Sequence, residues 1–226
     1  NLAKIHYNGS ELYKNLEEET GQATGWHGCG AVRLAVNQDQ VDWFHYVKGI
    51  LAQIGAECHL LGPDEIKEVH PLLNTDGVLL GAYTTGDGHT DPSGVTHAMA
   101  IGAKNRGAEI YRNNRVTEIN SLPSGEWEVV TGNGKIVCEH VVNAAGSFCA
   151  QVGAMVGLKI PVVNMVHQYL MTETIPEVAA LKTELPVVRD PRASCYYRQE
   201  QSGLIIGPYE MQAKAWGLDG IDWSFD

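Results

Sequence analysis

The side chains best suited to acid–base chemistry lie in the last third of the chain. His167 carries an imidazole, which can accept a proton near neutral pH, and the hydroxyl of Tyr196 can donate or accept a hydrogen bond. Arg198 stands two residues after Tyr196, so in a strand both would share one face, and its guanidinium could bind a carboxylate bidentately. The residue types alone favour structural roles for His167 and Tyr196, and leave Arg198 equally open to a place at a sheet edge.

These residues fall on short segments with the composition of strands, separated by polar and turn residues. The pattern is typical of an antiparallel sheet. Upstream, helical and strand-like patterns alternate, and Asn37 is a candidate N-cap for a helix that ends at Gly55. The sequence therefore predicts a mixed α/β (α+β) fold. The predicted strands of the last third are Val166–Thr172, Leu185–Val188, Cys195–Gln199 and Gly203–Gly207.

The central region contains a loop, a helix and further strands. Asp91 can cap a helix that begins at Pro92 and reaches Arg106. The dipeptide Asn133-Gly134 predicts a tight hairpin turn. The other predicted elements of this region are strands at Ala108–Tyr111, Arg115–Ile119 and His140–Asn143, and a helix at Ser147–Val156.

Composition excludes several classes of protein. The formal net charge of −11 argues against nucleic-acid binding, which requires Lys and Arg to neutralise phosphates. No apolar run is long enough to span a membrane. The five cysteines include no CxxC pair, which favours reduced thiols in a bacterial cytoplasm or a mitochondrial matrix. No Cys or His pair has zinc-finger spacing, and Asp87 and Asp91 fit a turn and a helix cap, so no metal site is predicted.

Three ordered groups of motifs carry a family resemblance. They are Asp87-Gly88-His89-Thr90-Asp91-Pro92; Val141-Val142-Asn143-Ala144-Ala145-Gly146; and a series from His167-Gln168-Tyr169 through Tyr196-Tyr197-Arg198-Gln199-Glu200 to Gly207-Pro208-Tyr209-Glu210. In this order and spacing they resemble the D-amino-acid-oxidase-type flavoproteins, and among them the dimethylglycine and sarcosine dehydrogenase branch. The resemblance extends over nearly the whole chain.

The resemblance implies an FAD-binding Rossmann-like region and a substrate domain built on an antiparallel sheet. We expect residues 1–85 to supply helices and substrate-domain strands, residues 86–160 the later part of the FAD-binding region, and residues 161–226 the substrate-binding sheet, truncated at its C-terminus. The GxGxxG turn that opens the family pattern is absent from this sequence. The histidine that carries the flavin covalently in the family would lie upstream of Asn1, so we expect an interior fragment that is inactive by itself.

The resemblance also assigns residues to the site. His167 and Tyr196 match the residues that the family places beside the flavin ring and the amine. Arg198 is a candidate for the substrate carboxylate because strand alternation puts it on the same face as Tyr196, not because of the resemblance. Residues matched to the cofactor region are Val116, Ala144, Ala145, Gly146 and Phe148. From sequence alone Val116 could equally be a core valine, and His89 fits an exposed loop histidine.

The implied activity is oxidation of an N-methyl amino acid, dimethylglycine or sarcosine, by hydride transfer to FAD. Oxygen or an electron-transfer flavoprotein would then accept the electrons. The alternative is a non-catalytic relative that resembles the regulatory subunit of pyruvate dehydrogenase phosphatase and acts through protein contacts.

Overall fold

A computed structural model describes residues 2–225 and divides the chain into two compact units. Unit 1 comprises the chain up to Glu109 together with His167–Glu210, and unit 2 comprises Ile110–Val166 and the chain from Met211 onward. The described residues include no helix long and apolar enough to cross a bilayer.

The helices and strands are short, apart from three helices in the first half of the chain. The helices are α1 (Leu2–Thr20), α2 (Gln38–Gln53), α3 (Pro63–Val69), α4 (Pro92–Asn105), α5 (Cys149–Ala154) and α6 (Pro176–Ala179), and a 3₁₀ turn covers Gly146–Phe148. The strands are β1 (Ala31–Ala35), β2 (His59–Leu61), β3 (Leu80–Thr84), β4 (Val116–Ser121), β5 (Trp127–Thr131), β6 (Gly134–Cys138), β7 (Asn164–Met165), β8 (Leu170–Met171), β9 (Val187–Asp190), β10 (Cys195–Glu200), β11 (Gly203–Pro208) and β12 (Ala215–Trp216).

Unit 1 is built on a seven-stranded sheet in the order β2-β3-β1-β9-β10-β11-β8. Strands β1 and β9 are parallel, with Val32 opposite Val188, and the other neighbours are antiparallel. The predicted antiparallel sheet of the last third is therefore part of a larger mixed sheet, because β9 pairs with a strand from the first fifth of the chain.

The core of unit 1 packs against this sheet. Ile66 of α3 is fully buried, and its side chain lies so close to Gly81 of β3 that a Cβ on Gly81 would come within 2.9 Å of it. Burial of such a side chain contributes about 1.5–3 kcal/mol to folding. The main buried cluster is Val32, Leu34, Ile66, Leu73, Val78 and Val188.

Local sequence signals set the helix boundaries well. The Asn37 side chain accepts a hydrogen bond from the backbone N–H of Gln40 at the start of α2. The Asp91 side chain accepts one from Gly94, and Pro92 opens α4 as predicted. Each of these caps contributes about 1 kcal/mol, because it satisfies an N–H that the helix itself cannot.

Unit 2 contains the antiparallel sheet β4-β5-β6 and the short pair β7-β12. The predicted hairpin is confirmed, with Thr131 opposite Gly134. Two predicted strands are wrong, because Ala108–Tyr111 and His140–Asn143 are irregular. An apolar pattern favours an extended backbone, but a strand also needs a neighbouring strand that binds its backbone N–H and C=O groups. Val142, in the second of these segments, is instead 85% exposed.

Three further boundaries differ from the sequence prediction. The predicted helix Ser147–Val156 begins as the 3₁₀ turn and is α-helical only over α5. Of the predicted strand Val166–Thr172, only β8 forms a strand, with Leu170 and Met171 opposite residues of β11. The predicted strand Leu185–Val188 lies two residues later, as β9. Strand ends depend on pairing partners, which composition does not specify.

Candidate functional site

The two predicted catalytic side chains, His167 and Tyr196, meet around a third aromatic ring, that of Tyr209. The His167 ring lies edge-on to Tyr209, with the centroids 5.5 Å apart, and the Tyr196 ring is 5.9 Å from Tyr209. Tyr196 is held by β10, whereas Tyr209 directly follows β11, the next strand of the sheet. Residues separated by 29 positions are thus brought to one end of a hairpin.

Glu210 orients His167. Its Oε2 atom lies 2.7 Å from Nδ1 of the imidazole. The hydrogen bond from His167 is the main cause that holds the pKa of the Glu210 carboxyl below its ordinary value. A carboxylate can only accept, so Nδ1 carries the proton and donates it to this bond, which leaves Nε2 of the neutral ring as a proton acceptor. Sequence reasoning assigned no role to Tyr209 or Glu210, although both lie in the Gly207-Pro208-Tyr209-Glu210 motif.

A glycine beneath the Tyr196 ring fixes its position. Tyr196 and Gly207 are directly opposite in the β10–β11 ladder, and a Cβ on Gly207 would overlap the Tyr196 ring. The ring therefore lies across the neighbouring strand, where only glycine leaves room for it.

Arg189, and not the predicted Arg198, is the arginine seen over this aromatic group. The guanidinium carbon of Arg189 is 6.0 Å from the Tyr196 ring centre and 5.8 Å from that of Tyr209, within cation–π range. The side chain of Arg198 instead donates from Nη1 to Glu200 Oε2 at 2.6 Å, beside a different cleft. The structure thus brings His167 and Tyr196 together and supplies a cation from β9, whereas a substrate role for Arg198 stays a prediction.

We expect Gly207→Ala to destabilise the protein by about 1–3 kcal/mol, because the new methyl group forces the Tyr196 ring out of its place. Chemical denaturation measures this directly. In a Tyr196→Ala background the same substitution should cost little, since the overlapping ring is gone.

Gly9→Ala is a matched control, because no atom lies within 4 Å of a Cβ at this helical position. It should stabilise the chain by about 0.5–1 kcal/mol. If Gly207→Ala costs equally much with and without the Tyr196 ring, the overlap is not the cause.

The predicted cofactor residues lie in unit 2. Val116 opens β4 and is half-buried, and Ala144 and Ala145 precede the 3₁₀ turn. Gly146 has a φ of 54°, and no atom of the described residues lies within 4 Å of a Cβ placed on it. The Phe148 ring stacks on Trp223 at 5.2 Å. Ala144 and Gly146 therefore expose backbone that a ligand could approach closely.

Comparison with curated proteins gives relatives over the whole chain. Mitochondrial dimethylglycine dehydrogenase of Rattus norvegicus is 44% identical over 100% of this chain and 27% of the relative. Mitochondrial sarcosine dehydrogenase of Homo sapiens is 35% identical over 93% of this chain and 24% of the relative. The mitochondrial pyruvate dehydrogenase phosphatase regulatory subunit of Mus musculus is 30% identical over 91% of this chain and 23% of the relative, so the regulatory alternative has less support. The chain spans roughly a quarter of the length of these relatives.

A solved dehydrogenase structure has the same fold. L-proline dehydrogenase from P. horikoshii superposes with a TM-score of 0.79 at 28% identity, over 93% of this chain and 56% of that chain. The predicted fold class and the predicted family are both confirmed. The FAD dependent oxidoreductase (DAO) family matches residues 1–225, and the chain therefore belongs to this family.

Proposed function

We propose that this chain carries the amine-binding part of an FAD-dependent dehydrogenase that oxidises an N-methylated amino acid, dimethylglycine or sarcosine. The observation that carries the proposal is the convergence of His167 and Tyr196 on Tyr209, with Glu210 bonded to the imidazole. The identities to dimethylglycine and sarcosine dehydrogenases support this choice of substrate.

The chemistry of these side chains suits an amino acid whose nitrogen must lose a proton. Nε2 of His167 accepts that proton, which frees the nitrogen lone pair that expels a hydride. Arg189 offers a positive charge to the substrate carboxylate, and the hydroxyls of Tyr196 and Tyr209 offer hydrogen bonds. When bound, FAD would supply a hydride acceptor, and the amine would be left as an iminium ion.

The proposed cofactor residues of unit 2 offer an exposed backbone that a bound dinucleotide could approach. Ala144 is exposed, and Gly146 combines a left-handed backbone with open space on its Cβ side. Such positions let a phosphate or ribose approach the main chain. We infer that Ala144, Ala145 and Gly146 line FAD, with Val116 and Phe148 beside them.

We also propose an acceptor for the electrons of the reduced flavin and a compartment for the protein. An electron-transfer flavoprotein, or oxygen, would reoxidise the flavin. The mitochondrial relatives support a matrix location, and a bacterial cytoplasm would provide the same reducing conditions for the five free cysteines.

Anaerobic titration of the purified full-length protein, with its FAD bound, tests the proposal. Dimethylglycine and sarcosine should bleach the flavin absorbance without oxygen. Glycine betaine is the matched control, because it keeps the carboxylate but its quaternary nitrogen has no lone pair, so it should leave the spectrum unchanged. A protein that retains FAD and responds to neither substrate would contradict the proposed function.

A further inference from the structure

A second cluster of chemically active side chains lies in unit 1, on other elements than the His167 group. It consists of His27, His89 and Glu184, which we call the histidine–carboxylate cluster. The Nδ1 atom of His27 is 2.7 Å from Glu184 Oε2, and the Nε2 atom of His89 is 2.6 Å from Glu184 Oε1. The two imidazoles stack with centroids 4.8 Å apart and planes within 10°. One carboxylate therefore spans two histidines that sequence reasoning did not connect.

The backbone preorganises the two histidines. His27 and His89 are directly opposite in an isolated antiparallel bridge, with N–H···O distances of 2.9 and 3.1 Å in the two directions. Opposite side chains of such a pair project from the same face. A Cβ on Gly88 would overlap the carbonyl oxygen of His27, so the close approach of the two segments requires glycine there. The imidazoles thus meet because of main-chain geometry and not through flexible side chains.

Glu184 is partly buried, and each of its two carboxyl oxygens contacts a different imidazole. Arg198, which lines the same cleft, is paired with Glu200 at 2.6 Å. A carboxylate and two imidazoles therefore face one another at the wall of a cleft of about 460 Å³.

We propose that His27, His89 and Glu184 bind a divalent transition-metal ion of the zinc class. Their candidate ligand atoms all lie within 4.8 Å of one another. Two imidazole nitrogens and one carboxylate oxygen form a donor set that zinc takes in proteins, with a further position open to water from the cleft. When the ion binds, each neutral imidazole changes tautomer, so that its proton lies on the nitrogen that does not contact the metal. Glu184 then loses its hydrogen bonds to His27 and His89 and contacts the ion instead.

Cobalt titration of the purified, chelator-treated protein tests this site. Co²⁺ serves as a spectroscopic probe, and we expect one ion per chain, visible absorption bands of a four- or five-coordinate complex, and displacement by Zn²⁺. His89→Gln and Glu184→Gln should each weaken binding by about tenfold or more, because each removes one ligand. His59→Gln is the matched control. His59 is an exposed histidine 3.9 Å from Glu57, and among the described residues it belongs to no group of three metal-binding side chains, so its loss should leave the affinity unchanged.

The wild-type titration decides the proposal even where a variant fails to fold, which far-UV circular dichroism detects. Absence of a stoichiometric cobalt complex in the wild type would overturn it. Equal weakening by His59→Gln, or unchanged binding in a folded His27→Gln/His89→Gln variant, would overturn it as well. The measurement needs neither flavin turnover nor substrate, so its outcome is independent of the proposed amine oxidation.

Discussion

The His167→Ala variant should reduce its flavin with dimethylglycine at least about 100-fold more slowly than the wild type, since a positioned general base contributes about 10²–10⁴-fold. The structure leaves Nε2 of His167 as the proton acceptor, because Nδ1 is occupied by Glu210 at 2.7 Å. Anaerobic stopped-flow reduction of the full-length, FAD-containing protein measures the rate constant without interference from reoxidation.

Glu210→Gln tests whether Glu210 fixes the tautomer of His167. A glutamine can present either an oxygen or an NH₂ group to the imidazole, so it no longer fixes which ring nitrogen carries the proton. We expect about tenfold slower flavin reduction with substrate affinity nearly unchanged, which identifies Glu210 as a positioning residue.

The control for both variants is His45→Ala, which removes an exposed histidine of α2. It should reduce its flavin at the wild-type rate. Wild-type kinetics in a folded His167→Ala protein would remove His167 from the mechanism.

The Arg192→Ala variant should lose about 2–4 kcal/mol of unfolding free energy at pH 7, because it leaves a buried carboxylate without its cation. Only 8% of the Asp190 side chain is exposed, and it accepts hydrogen bonds from Nε and Nη2 of Arg192. The same guanidinium donates to the backbone carbonyls of Asn74 and Asp76, so it also holds that loop.

Acidification should reduce the difference in unfolding free energy between the wild type and Arg192→Ala. Burial opposes the charge on Asp190, yet the hydrogen bonds from Arg192 dominate and lower the pKa of the Asp190 carboxyl. A group with a lowered folded-state pKa stabilises the protein above its unfolded-state value, which is about 3.9 for aspartate, and loses that contribution as the pH falls through the folded value. The wild type should therefore lose more stability than Arg192→Ala below about pH 4.

Urea denaturation at pH 7 and at acid pH measures both effects. Arg112→Ala, which removes an exposed arginine, is the control and should change stability by no more than about 0.5 kcal/mol. A deficit of Arg192→Ala that grows on acidification would contradict the assigned ion pair.

The sequence by itself determined the family, the fold class and the starts of helices α2 and α4. Asn37 and Asp91 cap their helices as predicted, because capping depends on residues three positions apart. The ordered motifs, with His167 and Tyr196 among them, identified the FAD-dependent oxidoreductase family that the comparisons confirm. Motifs carry this information because their chemistry is encoded in short, contiguous stretches.

Only the tertiary structure decided which side chains meet. Glu210 and Tyr209 join His167 across a gap of more than forty residues, and Glu184 joins two histidines from distant loops. Secondary structure depends on tertiary contacts in the same way. The segment around Val142 has the apolar pattern of a strand but is exposed, because the pattern does not specify a neighbouring strand to pair with. These contacts join segments that are far apart in the sequence, such as the bridge that places His27 opposite His89, and no spacing along the chain reports them.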